Sequence, residues 1–225
     1  GTWQAGRLRG AAVNLWTPPA GPLRQATQVR PLWNPCSLYA SADGLQLLVG
    51  TYKTAHFDPV ERLRPFLYRF TRDTLEPVWK GTSFARPHVA AVLLDLAAEP
   101  GAEACALELL PDGRKQVAAY AWTGTHMEAI ATSEPASFGD TLQPVGPDAL
   151  GLFRAAGAGW QLGLLRRGNQ PDRSGVHPLD WSAVGPPSPG WLAAWTTVQR
   201  AGKYWLVTAA ATSGEILFSA KPILP

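Results

Sequence analysis

The chain has 225 residues, 46% of them hydrophobic and 16% charged, with a formal net charge of +3. That composition excludes a disordered tail, which cannot bury enough apolar surface to fold, and the length suits one domain spanning residues 1–225. The basic residues are scattered rather than gathered in a stripe, and no run of about 18 apolar residues is free of charge, so neither nucleic acid nor a membrane-spanning helix is expected.

The chain opens on GTWQAGRLRG without an initiator Met. This reads as a segment whose signal or lipoprotein leader has been removed, hence an extracytoplasmic protein. Residues 11–33 hold what looks like the second half of a repeat ending in RPLW. The same ending recurs as EPVW at 76–79, EAIA at 128–131 and PLDW at 178–181, so that Trp33, Trp79, Ala131 and Trp181 are spaced 46, 52 and 50 residues apart. Residues 66–87 align with 118–139 at an offset of 52, pairing Tyr68 with Tyr120, Phe70 with Trp122 and Val78 with Ile130.

Between these endings a glycine-containing turn leads into an apolar run four times: ADGLQLLVG from Ala42, PGAEACALEL from Pro100, GAGWQLGLL from Gly157 and RAGKYWLVTAA from Arg200. Each reads as a first and a second strand joined by a tight turn. Short runs rich in Val, Leu, Trp and Tyr, bounded by Gly, Pro and Asp, are strand signals. No segment sustains a helical period, and 21 prolines with 22 glycines leave little room for helices. The expected class is all-β.

A period near 50 residues holding about four strands fits a propeller blade. Three complete blades would end at Trp79, Ala131 and Trp181. A fourth would combine residues 191–220 with 11–33, closing a small four-bladed propeller by pairing its N- and C-terminal strands; five blades of 45 residues are the alternative. The longest loops would be residues 52–65 and 169–178. Arg62, Arg64, Arg69 and Arg72, the densest basic group, would lie on a solvated strand face.

Residues 89–133 carry acidic positions Asp95, Glu99 and Glu103 in a loop, then Tyr120, Trp122 and Gly124 on a following strand. This pattern resembles the FG-GAP and VCBS-type propeller repeats of bacterial extracytoplasmic proteins, well in this one blade and faintly in the others. The resemblance implies a propeller, and a loop that in those families binds calcium. In this chain Ala97 replaces an acid and Pro100 the turn glycine, so the loop reads as degenerate; with too few oxygen ligands, no metal or other cofactor is expected.

Candidate chemistry is sparse. His56, His88, His126 and His177 lie in no catalytic motif, and there is no G-x-S-x-G elbow and no phosphate loop. His88, just ahead of a first strand, would face the mouth of a central channel. Of the ten tryptophans, Trp33, Trp79 and Trp181 share a repeat position and should pack between blades, as should Trp122, Trp195 and Trp205. Trp3, Trp16, Trp160 and Trp191 remain as exposed aromatics. His88, Trp16, Trp160 and Trp191 are therefore the candidate ligand residues, and the partner would be a protein or a carbohydrate. Cys36 and Cys105 read as free thiols. The function expected is a non-catalytic binding or scaffold domain, the alternative an enzyme at the channel mouth using His88 with acids of adjacent blades.

Overall fold

The computed structural model describes residues 2–4, 7–9, 12–15, 24–28, 32–41, 44–71, 74–81, 83–97, 101–157, 159–184, 188–189, 191–200, 203–212 and 215–224. Strands dominate the described residues and no helix occurs among them, so the all-β class holds. It follows that no helix there is long and apolar enough to cross a membrane.

Two short hairpins come first: β1 (Thr2–Gln4) with β2 (Arg7–Arg9), and β3 (Ala12–Leu15) with β4 (Arg24–Gln28). Three four-stranded antiparallel meanders follow. The first comprises β5 (Leu32–Ser41), β6 (Gly44–Ala55), β7 (Asp58–Thr71) and β8 (Thr74–Lys80). The second comprises β9 (His88–Leu94), β10 (Glu103–Leu109), β11 (Lys115–Trp122) and β12 (Met127–Ser133). The third comprises β13 (Phe138–Pro144), β14 (Leu150–Ala156), β15 (Gly159–Arg167) and β16 (His177–Ala183). The dipeptide β17 (Ser188–Pro189) pairs with β15, and β18 (Trp191–Arg200), β19 (Lys203–Thr212) and β20 (Glu215–Leu224) form a separate three-stranded sheet.

The 52-residue offset is visible in the backbone itself. The β7–β8 ladder slips between Leu67 and Tyr68, and the β11–β12 ladder slips between Ala119 and Tyr120, the same place one offset later. Trp79, Ala131 and Trp181 all lie in fourth strands. Trp33 does not: it lies in β5, the first strand of its meander.

The second and third meanders are joined through their fourth strands, which run parallel with Ala131 opposite His177 and Ser133 opposite Leu179. At the other end of the sheet β9 lies beside β13, so eight strands make a nearly closed, barrel-like sheet. Joining the outer strands removes two edges that would otherwise invite pairing with another chain. The interior holds Leu94, Cys105, Leu107 and Val117 of the second meander against Phe138, Leu142, Leu150 and Leu165 of the third.

The opposite face of the second meander, with Leu93, Ala104, Ala106, Ala118 and Tyr120, packs on Leu48 and Leu67 of the first, with Phe84 between. β9 touches β5 as well as β13. A sheet covered on both faces needs apolar residues at consecutive positions, which is why β10 reads ACALEL without alternation and is buried from Glu103 to Glu108. The alanines on its outer face let the first meander come close.

Several expectations are corrected. Residues 52–65 are no loop but the hairpin of β6 and β7, whereas 169–176 do connect two strands as a loop. GAG at 157–159 joins the second and third strands of its meander, because β13, FGDTLQP, buries only Phe138 and Leu142 and has no apolar run to announce it. The N- and C-terminal strands do not pair among the described residues, where β3–β4 and β18–β20 stand as separate sheets. Arg64 is fully buried, not solvated. Its guanidinium donates to the carboxylate and carbonyl of Asp58 at 2.9 and 3.3 Å, to the Val60 carbonyl at 2.9 Å and to the Lys53 carbonyl at 3.2 Å, tying the hairpin closed. Arg62 shares Asp58 at 3.1 Å and keeps 38% of its side chain exposed; Arg69 is half-buried and Arg72 lies outside the described residues.

Candidate functional site

Two groups of charged and aromatic side chains among the described residues offer candidate chemistry. The first surrounds Glu108, a fully buried acid on β10. Its carboxylate accepts a short hydrogen bond from the Tyr120 hydroxyl, one from Gln116 Nε2 at 3.3 Å, and two from Arg86, through the backbone N–H at 3.3 Å and the guanidinium at 3.4 Å. Tyr120 Oη in turn accepts the Ala85 N–H at 3.2 Å, and burial next to Glu108 holds its phenol well above the usual range. His88 is the cross-strand neighbour of Glu108 and lies edge-on to Phe84, ring centroids 5.0 Å apart. Burial alone presses its imidazole down to about 4, so it is neutral at pH 7.

This cluster resembles an acid–base site in composition, but it is closed. The void beside His88 measures about 10 Å³, room for about one water at most. The cluster's geometry pins residues 83–88 onto β10 and β11. His88 thus lies in packing between the first two meanders, with no ligand-sized cavity next to it.

The second place is a crevice of about 240 Å³ at the seam where β12 meets β16. Phe138, Arg154 and Trp181 line it together with Ser133, Glu134 and Asp180. Trp181, on β16, folds back over β15 because residue 163 is glycine: a Cβ there would fall 2.1 Å from indole Cζ2. Phe138 packs against the same indole at 5.7 Å, and the Arg154 guanidinium stacks over it at 4.5 Å. Cation–π stacking of this kind contributes about 0.5–2 kcal/mol and fixes the plane of the guanidinium.

One cation of the crevice has no acceptor: Arg154 has no ion pair or hydrogen-bonded acceptor among the described residues. Trp181 Nε1 is also without a hydrogen-bond partner, but it is shut away from solvent, so the indole serves as the platform that holds the guanidinium. At the rim Glu134 and Asp180 are exposed and equally without ion pairs among the described residues. Nothing here is activated for catalysis: Ser133 Oγ accepts the Val117 N–H at 2.9 Å and donates to the Glu134 carbonyl at 3.1 Å.

The residues singled out in the sequence lie apart. Trp160 is half-buried on β15 beside Phe153 and Leu162. Trp191 opens β18, with its side chain outside the described set, and Trp16 lies outside the described residues, as does Glu99. The other two acids of the degenerate loop have protein partners. Glu103 accepts the Leu96 and Ala97 N–H groups at 2.6 and 3.4 Å, and burial raises its carboxyl above the usual range, while Asp95 accepts the Tyr39 hydroxyl at 3.1 Å. Cys105 is a free, fully buried thiol whose pKa burial raises strongly. Trp79 and Trp122 pack against each other at 6.5 Å.

Arg154, Glu134 and Asp180 were missed by sequence reasoning, because they become neighbours only through the parallel seam. One local signal existed: Arg154 stands in the apolar strand LGLFRAA with no acid nearby in sequence. No protein-family model matches the chain, and no curated protein matches it significantly in sequence.

Proposed function

We propose that the chain is a non-catalytic binding domain of propeller build, and that the seam crevice is its ligand site. Face-to-face packing of three meanders, with β5, β9 and β13 as neighbours, supports the propeller reading. The resemblance of residues 89–133 to FG-GAP and VCBS repeats supports a role outside the cytoplasm. The observation that carries the binding reading is the Arg154 guanidinium, stacked on Trp181 and without an acceptor among the described residues, in a crevice of about 240 Å³.

A thermal-shift screen of the whole chain with small carboxylates, amino acids, sugars and calcium tests this, since a ligand of the folded state raises Tm by mass action. Protection by at least one organic class, lost in Arg154→Gln, is expected. Protection that survives this substitution places the ligand elsewhere and overturns the reading.

The enzyme alternative is favoured by one observation, the perturbed pair of His88 and Tyr120 around Glu108. It requires that residues 83–88 open. Amide exchange of that segment as slow as that of β10 would sink it.

A further inference from the structure

We infer that the seam crevice takes a small zwitterion of the α-amino acid type, its carboxylate on Arg154 and its ammonium toward Glu134 and Asp180. This rests on the reading of the crevice as a ligand site and names what fills it.

Size sets the first limit. A crevice of about 240 Å³ lies below the roughly 300–1,000 Å³ typical of drug-sized ligands, so the occupant is a small metabolite. The inner wall sets the second. Arg154 offers only donors and has no acceptor among the described residues, so the ligand brings the acceptor. Stacking on the indole holds the guanidinium in one plane, and a planar carboxylate matches that fork with two parallel hydrogen bonds.

A sugar fits this wall poorly. Sugars are recognised by stacking on a free aromatic face, and the Trp181 ring already lies on Gly163, under the Arg154 guanidinium and against Phe138.

The rim sets the third limit. Glu134 and Asp180 are exposed acids with no cation paired to them among the described residues. Asp180 keeps its position because residue 168 is glycine; a Cβ there would meet its Oδ2 at 2.8 Å. With one cation inside and two carboxylates at the mouth, a simple anion gains Arg154 and is repelled by the rim. A molecule with a carboxylate at one end and an ammonium at the other satisfies both.

The test is isothermal titration of the whole chain with L-alanine, L-serine and L-glutamine, each beside its amide, which lacks the carboxylate, and its N-acetyl derivative, which lacks the ammonium. We expect saturable binding of the free amino acids, weakened at least tenfold in both derivatives. Arg154→Gln should abolish it. Arg154→Lys, which keeps the charge and loses the fork, should weaken it at least tenfold, and Asp180→Asn should bring the free and N-acetylated acids within about threefold of each other. Binding of N-acetyl acids or propionate equal to that of the free amino acids, still dependent on Arg154, overturns the zwitterion and leaves the ligand site standing. Absence of binding by the free amino acids and by propionate overturns the zwitterion, and absence of any Arg154-dependent protection in the thermal-shift screen overturns the ligand site as well. Circular dichroism spectra matching the parent show that each variant has folded.

Discussion

The Glu108 cluster and the seam crevice use the same kinds of side chain to opposite ends. In the first, a buried acid finds partners in Tyr120, Gln116 and Arg86, and almost no volume remains. In the second, a guanidinium is stacked in place by Trp181, yet its donors meet no acceptor among the described residues and about 240 Å³ remains. A satisfied buried polar network rigidifies the fold that contains it. A positioned but unsatisfied one beside open space is prepared for a molecule from outside. Perturbed ionisation alone would have chosen the closed cluster over the open crevice.

The contrast is sharpest where the closed cluster is cut. Glu108→Ala leaves Tyr120, Gln116 and the Arg86 N–H without an acceptor at the heart of the second meander. Stability should fall by about 3–5 kcal/mol in urea unfolding; a loss below about 1 kcal/mol would mean the cluster is not what holds residues 83–88.

Acid should act on the same region. The folded pKa of His88, about 4, lies below its unfolded value near 6.5, so the unfolded chain binds the proton more readily. Stability present above pH 6.5 is therefore lost as pH falls toward 4, by roughly 3 kcal/mol. Glu103 works in the opposite sense: its raised carboxyl favours the folded state at low pH, and that contribution disappears as pH rises through the raised value. His88→Gln should flatten the decline between pH 6.5 and 4 while leaving the Glu103 effect in place. An unchanged slope would refute burial of a neutral imidazole.

The crevice should respond more mildly. Gly163→Ala puts a methyl where Trp181 now lies and forces the indole off β15, for a loss of about 1–3 kcal/mol in thermal or urea unfolding. Ligand binding should fall with it. A neutral result would show that Trp181 has another place to go.

Arg154→Gln should cost least, under about 1 kcal/mol, because only a partly exposed cation–π contact is lost. A larger loss would make Arg154 a structural residue like Arg64 and end the contrast between the two regions.

Local patterns in the chain determined the all-β class, the glycine turn that enters β6 at Gly44, and the 52-residue correspondence of the first two meanders, because strand runs, turn residues and side-chain period are properties of neighbouring residues. A residue's partner across space is not such a property. Arg62 and Arg64 read alike in ERLRPF, and only the folding of the β6–β7 hairpin around Asp58 buries one of them completely. β13 lacked an apolar run because its place is set by Phe138, Leu142 and the sheet beside it. His88 and Trp160 stood out as isolated letters and lie packed against neighbouring side chains, whereas Arg154, Trp181, Glu134 and Asp180 span 48 positions of the chain, from 134 to 181, and meet only where β12 and β16 run side by side. The tertiary structure alone decided the crevice, since long-range strand pairing, and not any local preference, brings its walls together.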